Sequence, residues 1–195
     1  MAKGRSRELT EPFQTGPKGG VPAFLRKKRF VLLVLAIIAM VWVYTTRAPA
    51  VRTKEHELED LLQFFVAAPD ASLPVDIDPS AELSRKSLVA ASAGRSATVP
   101  PVVVFSKTYC PYSKRAKHLL SSLNLKPAPY VIEVDIRSDS DTVKALLTRL
   151  TGHGTFPNIL VGRKSIGGSD DLAQLHESGG LIPLLATAGV KAVVA

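Results

Sequence analysis

Cysteine is nearly absent from this chain, and that scarcity excludes whole classes of protein. One cysteine among 195 residues cannot close an intramolecular disulfide, so the chain is not a disulfide-stapled scaffold. A four-cysteine zinc site is excluded for the same reason, and the four scattered histidines do not make a finger. No Asn-x-Ser/Thr glycosylation acceptor occurs, and no internal repeat is visible. Disorder throughout is excluded by an apolar fraction of 46%, which is normal for a folded chain.

What the chain does have is positive charge, +8 in all, a balance that invites a nucleic-acid partner. Its distribution argues against one. Residues 1–29 hold Lys3, Arg5, Arg7, Lys18 and the run Arg26, Lys27, Lys28, Arg29 against Glu8 and Glu11, which leaves +6 there and only +2 on residues 30–195. The excess belongs to a Gly/Pro/Ser-rich tail that cannot bury a core. An apolar run follows over residues 30–46, uncharged until Arg47. As a helix it spans roughly 26 Å, close to the hydrocarbon thickness of a thin bilayer. Trp42 and Tyr44 sit near its distal end, where amphipathic rings prefer the interface. A cleaved signal peptide is the rival reading, with Ala48, Pro49 and Ala50 as a small-residue cleavage site. The long basic lead and the length of the run favour an uncleaved anchor. The positive-inside rule then predicts a type II single-pass protein with a cytosolic tail and a lumenal C-terminal domain.

Residues 47–97 read as a stem or linker. Leu58, Leu61, Leu62 and Phe65 recur at helical spacing, so an amphipathic helix is expected over 55–67, resting on the domain or on the membrane surface. Pro69, Pro74 and Pro79 break regular structure beyond it, and 81–95 reads as a capping helix. The compact domain is expected over 98–195. Residues 102–105 form a continuous apolar strand suited to the middle of a sheet. Ala116, Leu119, Leu120 and Leu123 make a helical stripe, and 130–135 a second strand. Val143, Leu146, Leu147 and Leu150 make another stripe, ended by Gly152. Strands at 158–161 and 164–166 flank a two-residue turn, and helices at 171–177 and 181–188 close the chain. The order β-α-β-α-β-β-α implies an α/β fold with one parallel crossover and one antiparallel hairpin.

Cys110 falls where the first strand's loop enters the first helix, with Pro111 fitting the first helical turn. A thiolate there faces free backbone N–H groups and the positive end of the helix dipole. Lys107, Lys114 and Arg115 add positive charge. These effects favour thiolate over thiol and mark Cys110 as a nucleophile rather than a buried hydrophobe.

The segment Lys107-Thr108-Tyr109-Cys110-Pro111-Tyr112-Ser113 resembles the glutaredoxin active site, with serine in place of the second cysteine. Residues 151–158, Thr-Gly-His-Gly-Thr-Phe-Pro-Asn, resemble the family's loop with a cis-proline, and Gly167-Gly168-Ser169-Asp170-Asp171 its glycine-pair motif. With the N-terminal anchor, the sequence resembles the membrane-anchored monothiol glutaredoxins of the fungal secretory pathway. The resemblance implies a thioredoxin-like fold, a four-stranded mixed sheet flanked by helices, that binds glutathione. On that reading Lys107 and Lys144 serve the glycyl carboxylate, and Thr155, Phe156 and Pro157 serve the cysteinyl unit. Gly168 shapes the turn before the helix where Ser169 and Asp170 offer N–H groups to the γ-glutamyl carboxylate. The Asp170 carboxylate takes the ammonium, with Asp171 as the fallback, and Tyr112 packs over the ligand or shields the thiol. Two departures stand out. Ser113 leaves Cys110 without a resolving thiol, and Gly154 stands where many relatives carry a cation. His153 either tunes charge beside the site or faces solvent.

The resemblance implies a glutathione-dependent oxidoreductase acting on glutathionylated proteins and small mixed disulfides, in the endoplasmic reticulum or Golgi membrane. Two other readings stay open. One is a homodimer holding a [2Fe–2S] cluster through two Cys110 thiolates and two glutathione thiols. The other is an anchored redox sensor that is modified at Cys110 without turning over.

Overall fold

The computed structural model describes residues 31–40, 42 and 53–193. Two compact units divide the chain, Met1–Ala50 and Val51–Ala195. In the first, residues 31–40 and 42 are helical, and apolar side chains such as Leu32, Ile37 and Trp42 are exposed. Among the described residues no helix is long and apolar enough to cross a membrane. The remainder of the expected span, residues 30, 41 and 43–46, lies outside the described residues, as do the basic tail 1–29 and the small-residue stretch 48–50.

The second unit contains, in order, α1 (Lys54–Ala67), α2 (Arg85–Ala91), β1 (Val102–Ser106), α3 (Pro111–Ser122), β2 (Leu125–Lys126), β3 (Tyr130–Glu133), α4 (Ser140–Thr151), β4 (Asn158–Val161), β5 (Lys164–Gly167), α5 (Ser169–Glu177), α6 (Leu181–Thr187) and β6 (Lys191–Ala192). The main sheet runs β3-β1-β4-β5, and β2 pairs with β6 in a separate ribbon. β1 is parallel to β3 and antiparallel to β4, and β4 is antiparallel to β5. The expected crossover and hairpin are both present, and the sheet is mixed and flanked by helices, the thioredoxin-like arrangement. Gly152 closes α4 in the left-handed conformation, φ 76°, where a side chain would be strained.

β1 explains the continuous apolar run. Successive side chains of a strand point to opposite faces. Val103 and Phe105 enter one core with α1 and α4, and Val102 and Val104 enter a second core that includes Ala116 and Leu120 of α3, Leu172 of α5 and Leu181 of α6. Both faces are therefore buried, and the C-terminal end of β1 is fixed from both sides.

The expected stem is the main difference. Over its described part, residues 53–97, it is built into the folded unit rather than linked to it. Leu61, Leu62 and Phe65 of α1 are at most 1% exposed. Phe65 meets Phe105 of β1 edge to face, with ring centroids 5.6 Å apart. Buried polar groups secure the contact. The Glu57 carboxylate accepts the Leu83 N–H at 2.8 Å and pairs with the Arg149 guanidinium at 2.7 Å. Arg149 also donates to the Pro79 carbonyl at 2.7 Å. Arg137 donates to the carbonyls of Pro69 and Ala71 and lies 4.6 Å over the Phe65 ring. The prolines that read as breakers thus present carbonyls to arginines of the domain. The helix expected over 81–95 shortens to the seven residues of α2.

Emptying a fully buried leucine site costs roughly 2–5 kcal/mol. Leu61→Ala is expected to lower the unfolding free energy by that amount, read from the urea midpoint at unchanged slope. A stem separable from the domain would leave the midpoint where it is.

Candidate active site

The site is assembled from three loops at one end of the sheet. The first leaves β1 and enters α3. Cys110 is the N-cap residue of α3, with extended backbone (φ −71°, ψ 125°), and Pro111 occupies the first turn as expected. Its own N–H bonds the Lys107 carbonyl at 3.2 Å, and its carbonyl accepts the Lys114 N–H at 3.0 Å. The loop is tied from the side by Asp135, just beyond β3. The Asp135 carboxylate accepts the Thr108 N–H at 2.9 Å and the Thr108 hydroxyl. Burial pushes the Asp135 carboxyl up, but the Thr108 hydroxyl and amide and the Lys107 charge outweigh it and hold the group below the usual carboxylate range.

An N-cap side chain faces the free N–H groups of the first turn, and Cys110 stands there without a side-chain capping hydrogen bond. Partial burial pushes its thiol up. The Ser113 amide, the Ser113 hydroxyl, the Tyr112 amide and the Lys107 ammonium together outweigh that and set the thiol below its ordinary value. Ser113 is fully buried, and its hydroxyl oxygen also accepts the Lys107 N–H at 3.1 Å. Thus the serine that removes a resolving thiol is a donor to the thiolate. Lys107 is half-buried, its ammonium 3.3 Å from the Tyr109 hydroxyl and 5.3 Å over the Phe156 ring.

The second loop precedes β4. The Phe156–Pro157 bond is cis, and the Phe156 carbonyl lies 3.7 Å from the Cys110 sulfur. Buried Asn158 anchors this loop by donating to the Thr151 hydroxyl at 2.9 Å and the His153 carbonyl at 3.2 Å. His153 is half-buried rather than solvent-facing. Its Nε2 lies 3.2 Å from the Pro157 carbonyl and 3.1 Å from the Thr155 hydroxyl.

The third loop leads into α5. Gly167 has φ 98°, and a Cβ there would lie 2.1 Å from the Asp171 carboxylate, so only glycine fits. Asp171 accepts the Gly168 N–H at 2.7 Å and is thereby committed to the helix start. Arg115 of α3 reaches across to this turn, donating to the Ser169 hydroxyl at 2.8 Å and pairing with Asp170. A ligand ammonium at Asp170 must therefore share that carboxylate with Arg115. The first-turn amides of Ser169 and Asp170 have no partner among the described residues, which suits an anion.

Between the second and third loops runs a groove of about 410 Å³. Tyr112, Thr155, Phe156 and Pro157 line it, facing Gly168, Ser169 and Asp170, and His153 and Asp171 complete it. Seven of the ten expected site residues meet there. Cys110 and Lys107 border it through Phe156. Lys144 is exposed on α4 and is not among the residues lining the groove. The sequence reading did not bring Asp135 to the site; it took Arg115 only as nearby positive charge, Ser113 only as a missing thiol and His153 as a tuning or solvent-facing group. Ser113 was legible as the third helical residue after the N-cap, the position whose amide faces a capping side chain. Arg115 and Asp135 act across 54 and 27 residues and leave no local signal.

Comparison with known proteins agrees with this geometry. The family model described as Glutaredoxin matches residues 102–166. Monothiol glutaredoxin-S6 of Oryza sativa subsp. japonica is 37% identical over 126 residues, which cover 62% of this chain and 95% of that protein. The chain belongs to the glutaredoxin family. Glutaredoxin-C8 of the same plant is 46% identical over 84 residues, 43% of this chain, and the match spans 62% of its length. A crystal structure of a buckwheat glutaredoxin–glutathione complex is similar at 43% identity, over 47% of this chain and 82% of that one, with a TM-score of 0.45. The family match contains the Cys110 and cis-proline loops and ends before the glycine pair. In this glutaredoxin the thiolate rests on a serine hydroxyl, so Ser113→Ala is expected to raise the Cys110 pKa. Ultraviolet thiolate absorbance against pH, or the pH dependence of alkylation by iodoacetamide, measures it. An unchanged midpoint would remove Ser113 from the account.

Proposed function

We propose that this glutaredoxin catalyses monothiol exchange of glutathione, with Cys110 as its only redox group. The observation that carries the reading is a stabilised thiolate at the mouth of a groove that ends in free helix amides. The Cys110 thiolate attacks the glutathionyl sulfur of a mixed disulfide. The client thiolate leaves, and a Cys110–glutathione disulfide remains. A second glutathione thiolate attacks the glutathionyl sulfur of that disulfide, releasing glutathione disulfide and restoring the Cys110 thiolate. The sum consumes one mixed disulfide and one free glutathione and releases the client thiol and glutathione disulfide. Lys107 and the α5 amides suit the ligand's two carboxylates, and the Phe156 carbonyl faces the sulfur that both steps share. Tyr112 lines the groove and flanks the thiol, so packing over the ligand fits it better than shielding alone.

The same reading takes residues 30–46 as a type II anchor that holds the domain in the lumen of the endoplasmic reticulum or Golgi. Its support is the apolar run behind Arg26–Arg29 and the helical, exposed apolar residues 31–40. A [2Fe–2S] cluster would take one sulfur from each of two chains and two from glutathione. The exchange reading is preferred because it needs one chain and the groove that is present.

Steady-state reduction of the glutathione–hydroxyethyl mixed disulfide tests the activity. Parallel lines in a double-reciprocal plot are expected, with Cys110→Ser falling to the uncatalysed rate. Turnover by Cys110→Ser would refute the mechanism. Protection of the C-terminal domain from protease in intact microsomes is expected for the lumenal topology, and digestion from outside would overturn it.

A further inference from the structure

A cavity larger than the glutathione groove, about 530 Å³, lies along the opposite edge of the sheet. Among the described residues β3 is the edge strand there, and β1 is its only partner. The Val134 N–H donates to the Ser106 carbonyl, so alternation along the strand turns the N–H and C=O groups of Val131 and Glu133 outward. No described residue bonds them. Nothing in the Tyr-Val-Ile-Glu sequence of β3 blunts the edge with lysine or proline. Apolar side chains flank it instead, Val131 at 39% and Ile136 at 75% exposed. The facing wall is Phe65 and the turn Pro69–Ser72, held in place by Arg137. That wall belongs to the N-terminal layer outside the family match at 102–166, so the cavity exists only because this layer is folded onto the sheet.

Charge and position identify the occupant. Asp70 lines the cavity and has no ion pair among the described residues. Arg137 is committed to Asp139, and Lys117 reaches only one oxygen of Glu133, leaving Oε2 buried without a partner. The uncompensated charge is negative, and free acceptors outnumber free donors. The edge strand also leads toward the active-site loop. β3 and β1 run parallel, so both end at the Cys110 loop, and Asp135, between the lining residues Glu133 and Ile136, holds Thr108 of that loop.

We propose that the β3 edge is a docking site for the client protein: an extended, basic segment next to the glutathionylated cysteine adds as a further strand beside Val131 and Glu133, opposite the Pro69–Ser72 turn. Main-chain bonds supply the affinity and Asp70 the preference for lysine or arginine. This rests on the exchange reading of Cys110 and adds selection among clients to it.

The test uses the full-length protein and a glutathionylated unstructured peptide with lysines flanking its cysteine. Its partners are the same peptide N-methylated at alternate residues, a version with glutamates for the lysines, and the glutathione–hydroxyethyl disulfide. N-methylation in one of the two alternating registers is expected to lower kcat/KM about tenfold, the scale of one or two lost main-chain bonds, and glutamates to lower it similarly. Asp70→Asn should lower kcat/KM for the lysine peptide and leave the hydroxyethyl substrate untouched. Equal kcat/KM for methylated and unmethylated peptides would overturn the proposal. So would a stable homodimer that Val131→Pro dissociates, since a second copy would then fill the edge. Loss of the hydroxyethyl activity in the unaltered protein would instead strike the exchange reading itself.

Discussion

The Ser113 hydroxyl accepts the Lys107 amide and, beside its own amide, lowers the Cys110 thiol below its ordinary value, and three parts of the fold converge on that point. β1 is buried on both faces and fixes where the loop begins. Ala116 and Leu120 seat α3 in the second core and fix where its first turn points. Asp135 ties the intervening Thr108 from the side. A thiolate costs free energy when its water is removed, and here burial alone would keep the proton on. The amides of Tyr112 and Ser113, one hydroxyl and one ammonium reverse the balance. The charge is stabilised by preorganised donors and the Lys107 ammonium rather than by a neighbouring base.

The groove beside Cys110 follows from the same rigidity. Its two walls come from loops far apart in sequence, yet Arg115 on the catalytic helix grips the turn before α5, and Asn158 locks the cis-proline loop onto the end of α4. Each contact shares an element with the nucleophile or with the sheet that carries it. The N-terminal layer extends this logic to the other edge. The ion pair of buried Glu57 with Arg149 joins residues 92 positions apart and ties α1 to α4. Breaking such a pair is expensive because the remaining charge stays buried.

Much of the fold was legible because its signals are local. The unbroken apolar run 102–105 meant a strand buried on both sides, and the stripe Val143, Leu146, Leu147, Leu150 meant a helix ended by Gly152; both are present. Cys110 before Pro111 marked a helix start, and the glycine pair marked a turn whose steric reason, the Asp171 carboxylate at Gly167, emerges only in three dimensions. What could not be read was long-range. Pro69 and Pro79 signalled a linker because proline interrupts helices, but their carbonyls are acceptors for Arg137 and Arg149. Lys144 matched a polar family position, and its place on α4 lies outside the groove lining. His153 read as either a tuning group or a solvent-facing one, and its ring is held between Pro157 and Thr155.

The most direct measurement is a single-turnover trap. The full chain is mixed with excess glutathionylated client, quenched by acid, and analysed by peptide mass spectrometry. Free glutathione is then added and the sample analysed again. The account predicts one glutathionyl group on Cys110 in the first sample, formed as fast as client thiol is released, and its complete removal as glutathione disulfide in the second. Client thiol released with Cys110 never modified, or an adduct that added glutathione does not clear, would contradict it.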